Sequence, residues 1–169
     1  SSTDYRMVLY NWFGSKYDGQ SYYIKNVNID SYCYNVGLFG TTAGAEIANI
    51  VLYSDNGAVI QRNTDPTPSS GTRTVRQYST SYALGGLVGI AYDYNSSMGN
   101  GSITNCAIAG YTVADNSRNK QHLGEAAIGG LVGVSSVNLN KCSAVVDLQI
   151  NCTLVDTNGY MNAARYGNY

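Results

Sequence analysis

Two short motifs alternate along this chain, and their repetition constrains its fold more than any other feature. Gly-Leu-Phe-Gly occupies 37–40, and Gly-Leu-Val-Gly occupies 86–89 and 130–133. The last two end longer copies, Ala83-Leu84-Gly85-Gly86-Leu87-Val88-Gly89 and Ala127-Ile128-Gly129-Gly130-Leu131-Val132-Gly133. After each comes a second motif, apolar-x-polar-apolar-x-apolar, running from Ile47 to Leu52, Ile103 to Ile108 and Leu139 to Ala144. An earlier copy, Ile24-Lys25-Asn26-Val27-Asn28-Ile29, precedes the first Gly-Leu-Phe-Gly. Self-similarity at periods of about 20–50 residues marks solenoids, propellers and arrays.

Each motif suits one side of a solenoid. A strand of about five residues with alternating apolar positions buries one face. Glycines flanking Leu-Val supply either a positive φ or a close-packed corner where the chain turns. An Asn between apolar residues can bend inward at a corner and stack its amide on the Asn of the next coil. Asn26, Asn49 and Asn105 are therefore expected to form a ladder, with Lys141 departing from it at the end of the stack or at an outward corner. Cys106 and Cys142 hold one repeat position and should share an apolar interior column. The competing β-sandwich needs hairpins, and the Asn-Gly pairs at 56–57, 100–101 and 158–159 do not separate matched alternating strands.

Composition agrees. Of 169 residues only 12% are charged, against a usual share of about 25%. With two Glu and four Lys there is little to surface a helix, whereas 19 Gly and 16 Tyr suit tight turns and strands. A net charge of −1 gives no field to draw the chain onto nucleic acid or an anionic membrane, and no apolar run approaches a membrane span. The opening SSTDYRMVLY lacks the zones of a signal peptide, and a start without Met reads as a processed chain or an excised fragment. Cys33, Cys106, Cys142 and Cys152 include no C-x-x-C pair, and His122 is the sole histidine, so the usual zinc spacing is excluded and buried free thiols are expected.

The alternation of G-L-[VF]-G with I-x-N-[CIV]-x-[LIVA] resembles the GLUG-motif repeats of bacterial surface proteins, including large adhesins and immunoglobulin-A-specific peptidases. The stretch Phe13-Gly14-Ser15-Lys16-Tyr17-Asp18-Gly19, followed by Ile24-Lys25-Asn26-Val27, is similar to the lead-in of such arrays, with one motif glycine where a spaced pair is usual. The resemblance runs from about Trp12 to Ile150. It implies a right-handed parallel β-helix outside a bacterial cell. It does not imply catalysis, because in the peptidases the catalytic machinery lies in separate regions of longer chains.

The expected fold is all-β, a right-handed parallel β-helix (solenoid) with variable loop insertions, in one domain over 1–169. Residues 1–23 form an opening coil and cap, with Trp12 and Phe13 over the open end. Repeat coils fill 24–150, and 151–169 form a C-terminal strand and tail. The Gly-Leu motifs begin at 37, 86 and 130, so the repeats span 49 and 44 residues and are read as about two coils each, six to eight in all. Insertions are placed at 54–81, which carries Pro66 and Pro68, at 114–126, and at 92–101.

Sites follow from the insertions. Arg62, Arg73, Arg76, Arg118, Lys120 and His122 lie in the two that leave the same repeat position, against the acids Asp65, Asp115 and Glu125. A basic flank of this kind can hold an anionic glycan or an acidic protein. Tyr22, Tyr23, Tyr32 and Tyr34, and later Tyr78, Tyr82, Tyr92 and Tyr94, are further candidates for contact. No catalytic, cofactor or metal residues are assigned. His122 stands alone in a polar loop, and Asp55, Asp93, Asp115 and Asp147 are scattered singly rather than paired as glycoside hydrolysis requires. Asp93-Tyr94-Asn95 lacks the Gly and Glu of a calcium loop.

The functional expectation is a non-catalytic, cell-surface or secreted module acting as an adhesion or spacer scaffold. The alternative is a dedicated glycan- or protein-binding module using the loop flank, and a polysaccharide-acting enzyme is a distant third. A host glycan or protein and end-to-end self-stacking are the partners considered, with no nucleic acid, membrane insertion or cofactor.

Overall fold

The computed structural model describes residues 13–63, 82–93, 101–116 and 126–151. Within them the chain forms sixteen strands and no helix. An opening partial turn contributes β1 (Lys16–Asp18), β2 (Tyr23–Lys25) and β3 (Ile29–Ser31). The first full turn holds β4 (Asn35–Val36), β5 (Phe39–Ala43), β6 (Glu46–Ala48), β7 (Val51–Tyr53) and β8 (Val59–Asn63). The second holds β9 (Tyr82–Gly85), β10 (Val88–Tyr92), β11 (Ser102–Thr104) and β12 (Ala107–Asn116). The third holds β13 (Ala126–Gly129), β14 (Val132–Ser135), β15 (Asn138–Asn140) and β16 (Ser143–Ile150).

Equivalent strands of successive turns pair in parallel, building four sheets. Sheet I is β4-β9-β13, sheet II is β5-β10-β14, and sheet III is β1-β6-β11-β15. In sheet IV, β12 spans both β7 and β8, which in turn pair with β2 and β3, while β16 lies on its other side. The register is that of the sequence repeat. Ile103 lies beside Ile47 and Leu139, Val88 beside Phe39 and Val132, and Ile108 beside Leu52 and Ala144. This is a parallel β-helix.

One repeat is one turn, not two. Gly-Leu-Val-Gly makes the passage from sheet I to sheet II, and the Ile-x-Asn motif makes the passage from sheet III to sheet IV. Both motifs belong to different corners of the same turn. The described residues accordingly contain three full turns and the partial one. Part of what the sequence assigns to insertions is also strand: 59–63 is β8, and β12 runs to Asn116.

Alternation along each strand fills the interior with Leu84, Leu87, Val88, Ile47, Ile103, Leu52, Ile108, Ile60 and Val113, all at 1% exposure or less. Phe13 bridges to Thr42, and its ring lies 5.2 Å from that of Phe39 near the opening end. Trp12 lies outside the described residues.

The motif glycines are used for close approach, not for positive φ. A Cβ on Gly85 would sit 2.2 Å from the Val88 carbonyl oxygen and 2.6 Å from the Gly133 nitrogen. On Gly89 it would sit 2.5 Å from the Gly40 oxygen. Sheets I and II therefore press backbone to backbone near this corner. Gly85→Ala should cost about 3 kcal/mol, the upper end of overpacking penalties, because the obstacles are main chain. At Gly57, where only a φ of 71° opposes a side chain, alanine should cost about 1–2 kcal/mol. Urea unfolding of both variants checks the difference.

Candidate functional site

The strand ends that flank two of the insertions lie at one corner. Strands β8 and β12 end at Asn63 and Asn116, which are register partners, and the chain returns at Tyr82 and Ala126, which are also partners. Segments 64–81 and 117–125 thus leave and rejoin the stack at superimposed positions. Arg73, Arg76, Arg118, Lys120 and His122 lie outside the described residues.

Arg62 does not belong with them. It sits within β8, level with Asp115 of β12, and is 5% exposed. Its Nε donates to the Cys33 carbonyl at 3.0 Å, and its guanidinium carbon lies 4.0 Å from the centroid of the Tyr82 ring. The Tyr82 hydroxyl donates to Asp115, which is fully buried. By strand alternation Arg62 points inward because Ile60, two residues earlier, does so too. Its Nη1 is buried without a hydrogen-bond partner. The aromatic face of Tyr82 supplies in part what a hydrogen bond does not. The corner under the insertions is therefore closed by a buried polar cluster that joins the partial, first and second turns.

Two amide columns run along the stack. At the III-to-IV corner the Asn105 side chain donates to that of Asn49 at 2.7 Å, and Asn49 donates to Asp18 Oδ1 at 2.9 Å. Both asparagines have a left-handed backbone, with φ of 53° and 57°, which Asn tolerates better than most residues. Lys141 takes the same corner in the third turn with φ 53°. Asn26 is not in this column. It lies at the bend between β2 and β3, where it exchanges hydrogen bonds with Asp55, and Asp18 ends the ladder in its place. Both bends need a polar residue with positive φ, so one local pattern describes two different corners.

The second column lies at the corner where β8, β12 and β16 end, outside the two repeated motifs. Asn151 Nδ2 donates to Asn116 Oδ1, Asn116 donates to Gln61, and Asn63 donates to Asp30. A weak signal for it exists: Ile60-Gln61-Arg62-Asn63, Val113-Ala114-Asp115-Asn116 and Leu148-Gln149-Ile150-Asn151 share an apolar residue three places before Asn. That third motif is legible only once the register is known.

Cys106 and Cys142 continue the column headed by Ile50, and both are free thiols, as is Cys33. Cys106 Sγ lies 3.9 Å from the Ile47 carbonyl oxygen, and Cys142 Sγ lies 3.4 Å from that of Ile103, one turn below in each case. Cys33, expected to be buried, is exposed. Burial pushes the Cys106 thiol above its ordinary value of 9.0, and the neighbouring Cys142 adds to the shift. Asp18 moves the other way: hydrogen bonds from Asn49 and from the Gln20 backbone hold its carboxyl below the ordinary 3.8.

On the outer face of sheet IV, Tyr23 and Tyr53 meet edge to face at 6.3 Å, and the Lys25 ammonium lies 5.4 Å from the Tyr53 ring. Among the described residues no three His, Cys, Asp or Glu side chains converge as a metal site would require. Comparison with protein-family models, with curated proteins and with solved structures returns no match to this chain.

Two outcomes follow. Arg62→Ala should destabilise the fold by about 2 kcal/mol or more, since it removes a charged hydrogen bond and a desolvated cation–π contact; thermal and urea unfolding measure it. The stability that the Cys106 thiol contributes should be complete below pH 9.0 and decline above it, as the unfolded chain ionises while the folded one resists. Cys106→Ala should flatten that alkaline decline, and a thiol reagent should modify Cys33 before Cys106 in the native protein.

Proposed function

We propose that this chain is a non-catalytic β-helix module of a cell-surface or secreted protein, acting as a scaffold or spacer in adhesion. The observation that carries this reading is where the buried polar chemistry goes. Arg62, Tyr82 and Asp115 are turned inward, where Arg62 meets the Cys33 carbonyl and the Tyr82 ring and Tyr82 bonds Asp115, so this buried polar chemistry ties turns together. The ordered series of Gly-Leu-[Val/Phe]-Gly and Ile-x-Asn motifs supports placing the module among GLUG-type repeats of bacterial surface proteins.

A second reading has its own support. The insertions leave and rejoin at register-paired positions, so a rigid edge would hold both loops side by side as a binding flank for an anionic glycan or an acidic protein. Arg62 drops out of that flank, leaving Arg73, Arg76, Arg118, Lys120 and His122.

The deciding test is a binding screen against glycans and extracellular host proteins, at low and physiological salt. It compares the chain with a variant carrying Arg73→Glu, Arg76→Glu, Arg118→Glu and Lys120→Glu. A scaffold shows no saturable binding that the reversals change. Saturable, salt-sensitive binding lost in the variant overturns the spacer reading in favour of the loop flank.

A further inference from the structure

We propose that the two ends of the stack are complementary, and that the chain assembles head to tail with a second copy of itself. The third turn of one copy seats on the opening partial turn of the next. The inference rests on the scaffold reading and deepens it by naming the module's partner.

Both ends carry unpaired strand edges among the described residues. β15 and β16 are bonded on one side only, to β11 and β12, while β1, β2 and β3 are bonded on one side only, to β6, β7 and β8. β16 is eight residues long, and such an edge is a template for another strand. Apolar side chains stand open at the same interior column of both ends, Tyr17 at 39% exposure and Leu139 at 44%.

Extending the observed register by one turn tests the fit. Leu139 would fall beside Tyr17 of the next copy, because Ile47 and Ile103 already link those positions within one chain. Ala144 would fall beside Ile24, and Leu148 beside Ile29, through the Leu52–Ile108 and Ile60–Val113 pairs. Three interior columns thus continue apolar on apolar. Outward positions place Asn138 by Lys16, Asn140 by Asp18, Val145 by Lys25 and Gln149 by Asp30, so no like charges meet.

The corner column supplies the charge complement. Its backbone positions run Gly19, Asn49, Asn105, Lys141 from one end of the stack to the other, and the Asp18 side chain joins it from the neighbouring position by accepting from Asn49. Asp18 uses Oδ1 toward Asn49 and the Gln20 backbone, and among the described residues Oδ2 has no partner. Lys141 has no ion-pair partner among the described residues either. At about 4.8 Å per turn, Lys141 of one copy falls beside Gly19 of the next, one residue from Asp18, and its long side chain comes within reach of that carboxylate. A contact of this kind uses different surfaces on the two copies and does not close, so it builds linear oligomers.

The test is sedimentation of the full chain over a wide concentration range, with circular dichroism to confirm that each variant is folded. The wild-type chain should grow into a ladder of oligomers. Lys141→Asp and Asp18→Lys should each lose assembly alone, since each sets like charges at the contact. Mixing the two variants in equal amounts should restore it, because every mixed contact again pairs Lys with Asp. Assembly that neither reversal weakens, or loss that mixing does not rescue, overturns the proposal. So does a monomer at all concentrations. Amide exchange then says what stands at the edge: slow exchange along β16 names residues 152–169 of the same chain as its cover, and fast exchange an open edge. Either monomeric result leaves the scaffold reading to the binding screen.

Discussion

In-register stacking of the corners is the constraint on which the rest of this structure depends. Strands of two to five residues do not stand alone, and here most of them are that short. They persist because each turn bends where the turn before it bends, so every backbone edge meets its partner. The left-handed corner at Asn49, Asn105 and Lys141 sets that superposition at one vertex. The backbone-to-backbone contact at Gly85 and Gly89 sets it at another. Once the corners coincide, interior columns of Ile, Leu and Val follow from strand alternation alone.

The same superposition explains the distribution of polar groups. Where the chain leaves the stack for its insertions, an apolar column is interrupted and Arg62, Tyr82 and Asp115 fill the corner. A guanidinium in that position costs desolvation, and it is offset in part by a carbonyl and an aromatic face. The arrangement joins three turns at the corner where β8 and β12 end. Binding chemistry, if the loops carry it, is built outward from this lock and not from Arg62 itself.

Burial is uneven along the axis. Side chains of the first and second turns are nearly all inaccessible at interior positions, while β15 and most of β16 are exposed. The thiol column shows the gradient, from buried Cys106 to half-buried Cys142. In a quasi-one-dimensional stack the terminal turns have one neighbour instead of two, and they are the first to open. Contact with a second copy would give each end the neighbour that it does not have among the described residues.

The repeat was legible without coordinates, as were the parallel β-helix and the pairing of Asn49 with Asn105 and of Cys106 with Cys142. Motif spacing and strand alternation are local properties, and they carry that much. Which corner each motif occupies is not local. Asn26 matches the ladder pattern yet turns a different bend, Asp18 lies outside that pattern yet ends the ladder, and one repeat makes one turn where the spacing suggested two. Arg62 reads as a loop cation beside Arg73 and Arg76, and only the extension of β8 to Asn63 turns it inward. The amino-acid sequence by itself determined that strands would repeat and stack in parallel. Tertiary structure decided how many sides a turn has and what each corner holds, because those depend on which distant strand edges meet.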